Sequence, residues 1–172
     1  MKLKYITLIA CLLFFSEALL AQVWQYVDPR IGSEGVGRTF PGPAMPYGMC
    51  KPGPDCTVKP NAGWAPMPEV VTGFSQTHVS GTGGGQKYGN ILIQPFISGK
   101  GQEVRGERDD FSQKRKCEEF ALGYYSTIFE SGIRTEITTS ERCAFYRIHY
   151  PSDEISHHSP LTSHLYIDAT HY

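Results

Sequence analysis

The segment Thr72 to Pro95, TGFSQTHVSGTGGGQKYGNILIQP, concentrates the side chains able to do chemistry. His78 precedes a run of hydroxyls and glycines: Ser80, Gly81, Thr82 and Gly83 to Gly85. Imidazole and hydroxyls offer donors and acceptors in several directions. Glycines let the backbone approach a ligand closely. Upstream, Trp64 in NAGW supplies an aromatic face able to cover the apolar side of a pyranose ring. An aromatic platform with directed hydrogen bonds suits a small polar ligand that has apolar faces. The same residues also fit a plain scaffold, with Trp64 in the core, His78 a satisfied structural histidine and the glycines a turn.

A phosphate cradle does not fit. In a P-loop the lysine is followed by Ser or Thr at the start of a helix, whereas Lys87 is followed by Tyr88, Gly89 and a strand-like run. The dinucleotide fingerprint also requires a helix after its glycines, and NILIQPF has no helical pattern.

The elements that must position these groups read as strands. From Gln22 to Gly63 glycine and proline are dense, which excludes a long helix, while Phe40, Met45, Tyr47 and Met49 supply apolar anchors for an ordered coil. Beyond Gly89 the chain is rich in Ile, Thr, Phe and Tyr in short alternating runs. ESG, residues 130–132, reads as a hairpin turn. In RCAFYRIHYP, Cys143, Phe145, Arg147 and His149 alternate against Ala144, Tyr146, Ile148 and Tyr150, as on a strand with one buried face. HLYIDATHY, from His164, opens another strand. Arg105 to Glu119 is charged without clear periodicity and reads as a solvated loop or short surface helix. The expected class is all-β, an antiparallel two-layer β-sandwich.

The 172 residues are 40% hydrophobic, enough for one core, and the net charge of −1 gives no basic footprint for nucleic acid. Lys2 and Lys4, an apolar run from Tyr5 to Phe15 and the small residue Ala21 form a secretory signal pattern too short to span a bilayer. Residues 1–21 are therefore expected to be removed on export, leaving a mature domain over 22–172 in a secreted or periplasmic protein. LIAC, Leu8 to Cys11, sits too early in the apolar run for a lipoprotein signal box, which disfavours lipid anchoring. Cleavage leaves Cys50, Cys56, Cys117 and Cys143. Disulfides are allowed in that compartment, their connectivity is open, a zinc site lacks any CxxC pair, and small buried thiols fit equally well.

YVDPRIGSEGVGRTFPGPAMPYGMCKPGPD (Tyr26 to Asp55), followed by GFSQTHVSGTGGGQKYGNILIQP (Gly73 to Pro95), resembles the N-terminal β-sandwich of glycoside hydrolase family 92. Members of that family are secreted, calcium-dependent α-mannosidases. The resemblance implies an exported enzyme that removes terminal mannose from a mannose-containing glycan with inversion. It also implies that this domain packs against a C-terminal (α/α) barrel, absent here, that holds the catalytic acid, the catalytic base and most Ca2+ ligands. The fragment alone would then be inactive. Trp64, His78, Ser80, Gly81 and Thr82 are the residues expected to form a wall of the sugar site. The residues also fit a noncatalytic carbohydrate-binding sandwich, or a structural β-domain without a small ligand.

Overall fold

The computed structural model describes residues 23–35, 37, 39–58, 62–80, 88–100, 103–106, 108–152 and 161–171. The expected signal segment lies outside them. The first described residues form a 3-10 turn, Val23–Tyr26, and a coil that runs to β1 (Gly53–Cys56). The proline and glycine density accounts for that coil. Nine more strands follow: β2 (Val70–Ser75), β3 (Thr77–His78), β4 (Tyr88–Gly89), β5 (Leu92–Gly99), β6 (Gln113–Ala121), β7 (Tyr124–Phe129), β8 (Arg134–Thr139), β9 (Ala144–His149) and β10 (Leu161–Asp168). A second 3-10 turn, Arg108–Phe111, precedes β6. The class is all-β and antiparallel, as the sequence predicts.

Eight strands share one hydrogen-bonded sheet in the order β10-β5-β2-β6-β7-β8-β9, with β1 added beside β2, while β3 and β4 pair separately. The two layers are halves of this sheet, joined where Val70 and Val71 of β2 pair with Lys114 and Gln113 of β6. Four strand steps separate β2 from β9, which in a flat sheet would be about 19 Å. The rings of Phe74 on β2 and Tyr146 on β9 instead lie 6.4 Å apart, so the sheet curls until its ends face each other. Tyr125, 6.4 Å from Phe74, and Phe129, 6.1 Å from it, fill the space between the halves with Val71, Ile133 and Ile137. Burying these side chains is the main term holding the curl closed.

Gly132, at φ 87°, closes the β7–β8 hairpin at the ESG turn. Along β9, Phe145, Arg147 and His149 are exposed while Ala144, Tyr146 and Ile148 are half-buried, as the alternation predicts. The charged stretch up to Glu119 differs from its sequence reading. Its second half is strand β6, and Arg115 points inward with a fully covered side chain. An inward arginine with an internal carboxylate partner hides the apolar alternation by which a strand is recognised.

Candidate functional site

The coil before β1, the β3–β4 pair and the residues after β10 converge on one carboxylate. A bulge between Asp55 and Cys56 interrupts the β1–β2 register beside it. The Asp55 side chain is 2% exposed. Its Oδ1 lies 2.9 Å from Nε2 of His78 and its Oδ2 3.0 Å from Nε2 of His171. Nδ1 of His78 sits 2.7 Å from the Lys51 carbonyl.

The Lys51 carbonyl only accepts, so Nδ1 of His78 donates to it, while Nε2 faces Asp55. His78 and Asp55 therefore form a buried hydrogen-bonded pair. Burial pushes the Asp55 carboxyl up, but the N–H groups of His171 and His78 outweigh it and hold the group below its ordinary value.

The His78 ring is also clamped flat. Phe40 stacks on it at 4.0 Å with 6° between the planes, and Tyr88 lies at 5.8 Å and 17°. The Phe40 N–H donates to Oγ of Ser80 at 2.8 Å, so Ser80, otherwise exposed, ties the coil to the chain after β3. Gly63, at φ 87°, covers the pair. A Cβ there would sit 2.7 Å from Asp55 Oδ1 and 2.8 Å from His78 Nε2.

Trp64, the next residue, is 3% exposed, so this chain covers the ring expected to stack on a sugar. Its indole N–H points at both oxygens of Glu118 at 3.3 Å, and its ring packs edge-on against Phe120 at 5.5 Å. Glu118 also accepts from Arg115 at 2.8 Å and from the Tyr125 hydroxyl at 3.1 Å. Arg115 donates in turn to the carbonyls of Ala65 and Glu69, at 2.7 and 2.9 Å. A large aromatic beside a buried polar network is better satisfied there than facing water. Gly81 and Thr82 lie outside the described residues.

Cys50, Cys56, Cys117 and Cys143, the cysteines among the described residues, carry free thiols, and burial pushes the Cys56 thiol up to about 11. Among the described residues no group of three His, Cys, Asp or Glu side chains is placed to hold a metal ion. No helix among them is long and apolar enough to cross a membrane.

A separate groove of about 220 Å³ opens on the outer face of β7–β9 between Tyr124, Thr138 and Phe145, with Glu136 and Arg147 at its edge. Sequence reasoning missed Asp55, His171, Glu118 and Arg115. Asp55 meets a partner 116 positions away, and nothing in PGPD signals that contact.

Comparison with known proteins places this architecture. Residues 26–172 match the glycosyl hydrolase family 92 N-terminal domain. An uncharacterized secreted glycosidase of Arthroderma benhamiae is 31% identical over 147 residues, 81% of this chain and 19% of that protein. The family GH92 α-mannosidase BT3965 of Bacteroides thetaiotaomicron, solved with mannoimidazole, superposes with a TM-score of 0.62 at 27% identity, covering 74% of this chain and 18% of that one. The GH92 family glycosyl hydrolase ccman5 shares the fold, with a TM-score of 0.68 at 22% identity over 83% of this chain and 20% of that one. The chain thus spans about a fifth of the length of these relatives. With the motifs from Tyr26 to Pro95 carried on the same curled sandwich, the chain belongs to glycosyl hydrolase family 92, as its N-terminal domain.

Proposed function

We propose that this chain is the N-terminal domain of an exported α-mannosidase that hydrolyses terminal α-linked mannose with inversion, contributing one wall of the sugar site to a C-terminal (α/α) barrel in cis. The observation that carries the proposal is the family match over residues 26–172. The likeness to an α-mannosidase solved with mannoimidazole supports mannose as the sugar. The leader pattern of residues 1–21 and a relative described as secreted support export.

Inversion needs two carboxyl groups about 6.5 to 9.5 Å apart with a water between them. The two carboxylates at the centre of the described networks are otherwise engaged: Asp55 with two histidines, and Glu118 with Trp64, Tyr125 and Arg115. Neither therefore takes the acid or the base role in the proposed enzyme, where both fall to the barrel. Among the described residues no three His, Cys, Asp or Glu side chains gather to hold Ca2+. In the proposed full-length enzyme most Ca2+ ligands belong to the barrel, and the ion takes no part in the steps derived for this domain.

What remains for this domain is binding and shape. Ser80 is bonded to Phe40, whose ring stacks on His78 beside Asp55, and by composition the hydroxyls and glycines after His78 suit a sugar ligand. Trp64 supports this wall from the core side.

The test is turnover of an aryl α-mannoside by the full-length protein, with the product anomer followed by NMR and with calcium removed by chelation. Release of β-mannose, lost on chelation and restored by Ca2+, is the expected result. Absence of turnover on α-mannosides, with activity on another glycoside, overturns the assignment. The groove between Tyr124 and Phe145 favours one second reading, a noncatalytic carbohydrate-binding surface.

A further inference from the structure

We infer that Asp55 and His171 are positioning residues for the part of the sugar-site wall at His78 and Ser80, acting through His78 on β3 and Asn90 just after β4. The inference rests on the proposed sugar-binding function of that wall. Neither residue reaches open space. The side chains of Asp55 and His171 are 2% and 5% exposed, so any influence on a ligand passes through their partners.

The connections run to both strands. On the β3 side, Asp55 holds Nε2 of His78, whose other nitrogen is anchored on Lys51 and whose ring is stacked on Phe40. The backbone of Phe40 is in turn bonded to Ser80. On the β4 side, His171 bonds Asp55 through its ring, and its carbonyl accepts the Asn90 N–H at 2.9 Å. Asn90 sits at φ 59°, a left-handed conformation that asparagine adopts readily, and its side-chain amide donates to Oγ1 of Thr77 at 2.8 Å. Oγ1 of Thr77 donates to the Gly89 carbonyl at 3.1 Å. One carboxylate thus sets the spacing of two strands that share only two residue pairs, Thr77 with Gly89 and His78 with Tyr88. A two-pair ladder is too short to hold its own geometry. Small displacements of a binding group are costly in recognition, which gives this outer support its functional weight.

The test compares His171→Gln, which keeps an N–H donor toward Asp55, with His171→Phe, which keeps ring volume without a donor, both in the full-length protein and well below their melting points. On an aryl α-mannoside, H171F is expected to raise KM about fivefold or more with kcat nearly unchanged, and H171Q to stay within about twofold of wild type. A wild-type KM in folded H171F, or an equal KM rise in both variants, overturns the inference. Should H171F fail to fold, Asp55→Asn, isosteric but with one acceptor oxygen, takes its place: raised KM supports the inference and wild-type KM sinks it. If the wild type turns over no α-mannoside, the functional proposal fails separately. Hydrogen exchange at the Gln76 and Asn90 amides then decides: faster exchange in H171F but not H171Q upholds the positioning, and unchanged exchange ends it.

Discussion

The Asp55 carboxylate bridges two imidazoles from opposite directions along the chain, His78 at 2.9 Å and His171 at 3.0 Å. All three side chains are buried, so each partner's charge or dipole acts without solvent screening. Removing the carboxylate leaves two buried imidazoles without their shared partner. Asp55→Ala is therefore expected to destabilise the protein by about 3 to 5 kcal/mol, measured by denaturant unfolding. A loss below about 1 kcal/mol, the range of exposed pairs, would show the pair to be solvated in solution.

The same pair sets an acid limit. The folded Asp55 carboxyl titrates below its ordinary value of 3.8, so folding favours the ionised form. That contribution is fully present above the unfolded value and is lost as pH falls through the lower, folded one. The stability gap between wild type and Asp55→Asn should narrow as pH falls below 3.8, where the ionised form of Asp55 is lost. A gap that widens below 3.8 contradicts the sign.

Gly63 has no room for a side chain. Its φ of 87° opposes substitution, and so does the 2.7 Å separation that a Cβ at this position would have from Asp55 Oδ1. Gly63→Ala should cost about 1 to 3 kcal/mol, seen as a lower denaturation midpoint. An unchanged midpoint would mean that the segment relaxes away from the Asp55–His78 pair.

Trp64 serves the core in this fold. Trp64→Ala should lower stability by about 3 to 5 kcal/mol through the cavity it leaves. Trp64→Phe, losing mainly the bond to Glu118, should cost about 1 kcal/mol. Calorimetry and steady-state kinetics on one preparation separate support from sugar contact: an unchanged melting point with a raised KM would put the ring against ligand.

The cysteines should differ in reactivity by burial. Cys117 and Cys143 are exposed, whereas Cys56 is buried with its thiol pushed up to about 11. At pH 8 an alkylating reagent followed by mass spectrometry should label Cys117 and Cys143 within minutes and Cys56 only on unfolding. Early labelling of Cys56 would reveal local opening around Ala65, whose N–H points at its sulfur.

By itself the sequence determined the all-β class, the hairpin turn at Gly132 and the two faces of the strand ending at His149, because turn chemistry and period-two alternation act between near neighbours. It also carried the family motifs on which the proposed function rests. Tertiary structure alone decided that the layers are halves of one curled sheet, which depends on Phe74 meeting Tyr146 across strands not adjacent in the sheet. It decided that Arg115 turns inward, since a buried guanidinium is tolerated only where Glu118 and two carbonyls receive it. The burial of Trp64 and the choice of Asp55 as the shared partner of His78 and His171 follow the same rule. A buried polar group must find its complement, and here that complement comes from a distant part of the chain brought near only when the sheet closes.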